Sequence, residues 1–212
     1  MTRHAESERQ LLCDELDRLG PDAPTLCEGW DTKDLAAHLY VRQARPDLVL
    51  GRFIPPLSGR VQQQREALTE DYPGLVEKIR AGAPRWNPTS QSKVDEMVNL
   101  LEFFVHHEDI RRAQPGWEPR ELPHHEQLAL WHALRRIARV LFRRADTGVV
   151  LIADGVGRRY AVKLPDAHGT VILRGEPGEL ALFAFGRGEV ARVEFSGDAD
   201  DIAALKGSRF GV

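Results

Sequence analysis

Apolar positions in the first two-thirds of the chain recur every three to four residues, the period of an α-helix. Leu11, Leu12, Leu16 and Leu19 define a helix over 6–19, and Gly20-Pro21 stops it. Pro21, Pro24 and Gly29 make 21–30 a loop. Asp31, with Asp34 three residues on, reads as the cap of a second helix through Leu35, Ala36, Leu39 and Val41. Pro46 closes that helix, because proline has no N–H and pushes the residue before it out of the helical region. Residues 47–60 hold Pro55, Pro56 and Gly59 and form a long connection of the kind that often carries function. A weaker helix is expected over 61–79, broken near Pro73-Gly74. The strongest spans 92–112, capped by Ser92 with Asp95 three residues on, and Pro123 leads into a fifth over 124–145.

The period changes at Asp146-Thr147-Gly148. Residues 149–153, 159–163, 171–173 and 190–195 are short, rich in Val, Ile and aromatics, and bounded by Gly, Pro or Asp, as strands are. Helical pieces at 179–185 and 198–205 lie among them. The expected fold is therefore mainly α: a helical bundle over 1–146, then a small α+β domain over 147–212. A domain that small buries little surface and is expected to lean on the bundle.

With 42% apolar and 29% charged residues in 212, the chain can build a packed core. A net charge of -3 gives no general attraction to nucleic acid or to an anionic membrane, so neither is expected as a partner. The arginines at 135, 136, 139, 143 and 144 lie opposite Leu130, Leu134, Ile137 and Leu141 and read as the outer face of the fifth helix. The longest apolar run, 149–153, is far too short to span a bilayer, and the charged N-terminus has no signal-like apolar segment. Cys13 and Cys27 are too few for a disulfide scaffold. A soluble protein of the reducing cytoplasm is expected.

Chemistry concentrates in the fourth helix. Glu102 and His106 stand four apart, which puts both side chains on one face within reach of a shared ion. Asp95, Asn99 and Asp109 lie on the same stripe, opposite Met97, Leu101, Phe104 and Val105, so the stripe also reads as the wet side of an amphipathic helix. His38, among small apolar neighbours in the second helix, reads alone as a hydrogen-bonded structural residue. Taken together, two imidazoles and a carboxylate from neighbouring helices are a donor set of catalytic zinc sites, and bundle interiors are where such sites are built.

The stretch Thr25-Leu26-Cys27-Glu28-Gly29-Trp30-Asp31, followed by Asp34-Leu35-Ala36-Ala37-His38-Leu39, resembles the opening of the mycothiol-dependent maleylpyruvate isomerase family. That family belongs to the DinB-like metal-binding four-helix bundles. Its later E-x-x-x-H helix is matched by Glu102 and His106, and Leu180 to Arg187 is similar to its sterol-carrier-like C-terminal domain. The substrate loops have no such match.

The resemblance implies that His38, Glu102 and His106 hold a divalent metal, Zn²⁺ first, with Ni²⁺, Fe²⁺ or Mn²⁺ also suited to these ligands. It implies mycothiol as cosubstrate, adding as thiolate to a small electrophile in S-transfer or thiol-assisted isomerisation. It points Arg187 from the second domain toward the metal cleft as a catalytic residue, although an arginine at a helix end is ordinarily there for the dipole. His107 reads as a structural neighbour. Asp109 reads either as the acceptor that orients His106 or as the partner of Arg112. Arg45 is a candidate for binding a substrate carboxylate, while Arg42 and Arg52 read as solvated surface. Cys27 reads as a buried, inert thiol, with approach to the metal as the alternative. A metal- and small-molecule-binding protein without catalysis, or a metal-dependent hydrolase, is the competing reading.

Overall fold

The computed structural model describes residues 3–44, 69–84, 86, 87 and 90–208. They form two compact units, Met1–Glu118 and Pro119–Val212.

The described part of the first unit contains α1 (His4–Leu19), α2 (Thr32–Ala44), α3 (Tyr72–Arg80) and α4 (Ser92–Arg111). α1 packs most extensively along α4 and also against α3, and α2 packs on α3. Leu12, Leu16, Leu35, Leu39, Leu75, Ile79, Leu100 and Phe103 fill the space between them. Local chemistry starts α2 and α3. The Asp31 carboxylate accepts the Asp34 N–H at 3.1 Å, the cap expected there. Asp71 likewise accepts from Gly74 N at 3.1 Å with Pro73 in the first turn, so Pro73-Gly74 opens α3 and does not break it. The earlier part of that expected helix, 61–68, lies outside the described residues.

α4 departs from expectation at its start. Its cap residue is Gln91, which makes no side-chain cap bond, and not Ser92. Asp95 is not free for capping because it is buried against α1, accepting from Arg9 Nη1 at 3.2 Å and from Asn99 Nδ2 at 2.7 Å. Further along α4, Arg112 donates to Glu108 at 2.6 Å, and both side chains are buried.

The second unit contains α5 (His124–Leu141), β1 (Gly148–Ala153), β2 (Arg158–Lys163), β3 (Thr170–Gly175), α6 (Pro177–Ala184), β4 (Glu194–Ser196) and α7 (Ala199–Gly207). The sheet order is β2-β1-β3-β4, with β1 parallel to β3 and the other two pairs antiparallel. All eight residues of α6 are buried, as a helix apolar but for Glu179 requires, and it packs on α5, β1 and β3, while Glu179 accepts from Arg192 N at 2.8 Å. α5 faces α6 and β2 through a side that includes Leu130, Trp131 and Leu134, and Gln127 ties it to Glu176 at 2.9 Å. The units therefore divide after Glu118, and α5, read from sequence as part of a bundle over 1–146, groups with the sheet. Its arginines 135, 136, 139, 143 and 144 are exposed. β4 is shorter than the expected 190–195 because Val190 and Ala191 give their N–H groups to Arg187 O in a turn, at 3.2 and 3.0 Å. No helix among the described residues is long and apolar enough to cross a membrane.

Two adjacent leucines test the packing of α1. Leu12 is fully buried and Leu11 is 47% exposed. Leu12→Ala is expected to cost about 2 to 5 kcal/mol, and Leu11→Ala no more than about 0.5 kcal/mol. Urea denaturation of the two variants measures both, and equal losses would contradict this packing.

Candidate metal centre

α2 supplies His38 and α4 supplies Glu102 and His106, one turn apart. Glu102 Oε1 lies 3.2 Å from His38 Nε2 and 3.3 Å from His106 Nε2. The three donor atoms all lie within 4.8 Å of one another. The two imidazole rings meet nearly edge to face, centroids 5.2 Å apart, and the Trp30 ring stands 5.3 Å from His38 on another side. The stripe that carries these groups is not a wet face: Asp95, Asn99, His106 and Asp109 are all buried.

The neighbouring residues separate the readings left open by the sequence. Asp109 Oδ2 lies 2.8 Å from His106 Nδ1, whereas Arg112 pairs with Glu108, so Asp109 is the acceptor that orients His106. His107, rotated around the helix, turns to α1 and pairs with buried Glu8 at 3.1 Å. Arg42 is no free surface arginine. It lies 3.2 Å from Glu102 Oε1, donates to Val98 O at 3.4 Å and also bonds Asn99 Oδ1. Cys27 is half-buried and donates to Asp109 Oδ2 at 3.3 Å, so it stands beside His106 and is not isolated in a core. Its place in the loop just before the His38 helix was the only sequence signal of this proximity. Arg187 lies in the second unit and donates to Phe185 O at 2.6 Å, the place of a helix-end arginine. Arg45 and Arg52 lie outside the described residues.

Electrostatics distinguishes the two histidines. Burial pushes His38 below the ordinary imidazole value and outweighs the pull of Glu102, which leaves it neutral near pH 7. Burial acts in the same direction on His106, but Asp109, Cys27 and Glu102 overcome it and hold the imidazole well above that value. Burial also opposes ionisation of Glu102. Hydrogen bonds from His106 and His38 and the Arg42 charge outweigh it and keep the carboxyl well below the usual carboxylate range. An ionised carboxylate thus faces two imidazole nitrogens.

This donor set fits a divalent cation. Bonds of about 2.0 to 2.2 Å to one ion place neighbouring donors roughly 3 to 3.5 Å apart, which matches the 3.2 and 3.3 Å edges at Glu102 Oε1. With the Nδ1–H of His106 held by Asp109, Nε2 is the nitrogen that can give up its proton to bind an ion beside the other donors.

No protein-family model matches the chain, and no curated protein matches it. Solved structures do. A histidine-to-alanine mutant of the mycothiol-dependent maleylpyruvate isomerase aligns with a TM-score of 0.59 and 18% identity, over 91% of this chain and 90% of that one. A second crystal structure titled as that isomerase gives 0.57 and 16% over the same shares. At such identities the likeness is one of fold.

In metal-free protein, the two imidazoles are expected to titrate on opposite sides of about 6.5, the unperturbed histidine value. His38 titrates below it and His106 above, and Asp109→Asn moves His106 down by removing the carboxylate charge that favours the imidazolium. Nitrogen-15 chemical shifts of the two rings against pH measure this. Coincident curves would contradict the assigned network.

Proposed function

We propose that this protein is a metal-dependent enzyme, with Zn²⁺ in first place, that uses a low-molecular-weight thiol such as mycothiol for S-transfer or thiol-assisted isomerisation of a small electrophile. The observation that carries the reading is the meeting of His38, Glu102 and His106 around one carboxylate oxygen. The fold shared with the mycothiol-dependent isomerase supports the thiol half of the proposal.

His38 Nε2, Glu102 Oε1 and His106 Nε2 would hold the ion. Bound there, a divalent cation favours the thiolate over the thiol form of a small thiol near neutral pH. Two imidazoles and a carboxylate suit zinc, and Ni²⁺, Fe²⁺ and Mn²⁺ accept the same ligands. Structural zinc sites are closed by four protein ligands, whereas three leave a position for a small molecule, which favours an enzyme over a structural site. The surrounding residues keep this set in place. Asp109 fixes the ring of His106, Trp30 stands beside the ring of His38, and Arg42 steadies the Glu102 carboxylate. In this reading Arg187 keeps a catalytic role and Arg45 a part in binding the substrate carboxylate.

Metal analysis of purified variants tests the ligands. His38→Ala, Glu102→Gln and His106→Ala are expected to lose metal, while His107→Gln keeps it but unfolds at lower temperature, because buried Glu8 loses a partner.

Cobalt-substituted protein tests the thiol. Mycothiol is expected to raise a sulfur-to-cobalt charge-transfer band, and glutathione to bind more weakly. Arg187→Met is expected to slow turnover by about 1.5 to 3 kcal/mol without emptying the site. A spectrum unchanged by any thiol would reject the thiol chemistry and leave a hydrolase or a binding protein.

A further inference from the structure

His106 has a second ring nitrogen, and it faces a second set of donors. Asp109 Oδ2 lies 2.8 Å from Nδ1, and Cys27 Sγ lies 3.3 Å from that same oxygen. Sγ, Oδ2 and a nitrogen of His106 lie within 4.8 Å of one another. The arrangement is held by the backbone: Leu26 N donates to Asp109 O at 3.1 Å, Cys27 N to Thr25 Oγ1 at 3.1 Å, and Gln114 Nε2 to Pro24 O at 3.1 Å. The loop that presents the sulfur is thereby fastened to the end of α4 that presents the carboxylate. Asp109 is fully buried, and half-buried Cys27 gives the group its opening to solvent.

We propose that Cys27, Asp109 and Nδ1 of His106 form a second metal site, selective for a soft ion such as Cd²⁺ or Cu⁺, and that its occupation excludes metal from the His38, Glu102 and His106 group. A thiolate donor selects soft ions, whereas the first group offers only nitrogen and oxygen. Bonds of about 2.0 to 2.3 Å call for donors a little over 3 Å apart, so the Asp109 carboxylate has only to turn slightly back from the ring. Binding releases two protons to solvent, from the Cys27 thiol and from His106 Nδ1, and the proton that remains on the imidazole sits on Nε2, donating to Glu102 Oε1 3.3 Å away. A neutral imidazole has one lone pair, so an ion on Nδ1 takes Nε2 out of use as a ligand. The thiolate site stands on its own geometry; the exclusion rests on the metal reading of the first group. A soft ion would then act as a switch, withdrawing His106 from the first site.

The test is a titration of full-length, metal-free protein with CdCl₂, read by the ultraviolet sulfur-to-cadmium charge-transfer band. The band is expected to saturate at one equivalent, and Glu102→Gln to keep it. Cys27→Ser is expected to abolish it and weaken Cd²⁺ binding more than about 100-fold, beyond the loss typical of a group that merely supports a ligand. Cys27→Ser still takes Co²⁺ with an unchanged visible spectrum, which shows that it is folded, whereas cadmium-loaded wild type refuses Co²⁺. A band that survives in Cys27→Ser, or disappears in Glu102→Gln, would overturn the second site. Full Co²⁺ uptake beside bound Cd²⁺ would overturn the exclusion. Failure of the wild type to bind Co²⁺ at all would instead overturn the reading of the first group and leave the cadmium band standing.

Discussion

One buried imidazole bracketed by two carboxylates organises the functional end of the first unit. His106 has Glu102 against Nε2 and Asp109 against Nδ1, and all three project from α4 within two turns. A helix alone can supply both acids, at spacings of four and three residues. It cannot remove them from water. Burial comes from the loop over residues 24–31 at one side and from α2 at the other, and each meets the cost of desolvating charge with hydrogen bonds of its own. Leu26 and Cys27 bond the backbone and side chain of Asp109, and Arg42 and His38 bond Glu102. The candidate ligand set is thus also the polar contact through which three segments agree on their relative placement.

Other charges of α4 serve its attachment to α1. Arg9 meets Asp95, and Glu8 meets His107, at 3.2 and 3.1 Å, all in buried surroundings. His106 and His107 are neighbours in sequence but lie about 100° apart around the helix. One therefore looks toward α2 and the other toward α1. Buried pairs of this kind add little net stability, but a missing partner is expensive. That asymmetry fixes the rotation of α4, because any other rotation would strand Glu8 and Asp95 without these partners. The rotation in turn delivers Glu102 and His106 to His38.

Features set by neighbours in sequence were legible before the structure. The Asp31 cap, the mostly apolar α6 and the strands β1 to β3 all follow from residues within a few positions of one another. Features set across space were not. The acidic stripe of α4 has the period of a solvent face, and only the presence of α1, α2 and the loop makes it an interior one. For the same reason Arg42 reads as surface, Asp95 as a capping acid, and α5 as a bundle helix: each has the right local pattern, and its partner is chosen elsewhere. The pairing of His38 with Glu102 and His106 was reachable by resemblance, since chain-distant donors leave no periodic trace. Cys27 had only its place in the loop before the His38 helix to suggest an approach to the site.

The position of Asp109 shows why such a site resists reading from ligands alone. A carboxylate three residues after a histidine on a helix can serve the ring or the next basic residue, and in this chain Arg112 stands three residues further on. Glu108 decides between them. Four residues before Arg112, it takes the guanidinium at 2.6 Å in a buried pair, and Arg111 adds a second contact to the same carboxylate at 2.9 Å. Asp109 meets the imidazole and the thiol. The nitrogen that His106 offers to an ion therefore depends on what Asp109 holds, a choice made beside the buried pairs of Glu108 and not at the ligands themselves. A chain with Glu108 replaced by an uncharged residue would keep every proposed ligand and still alter the charge balance around Asp109.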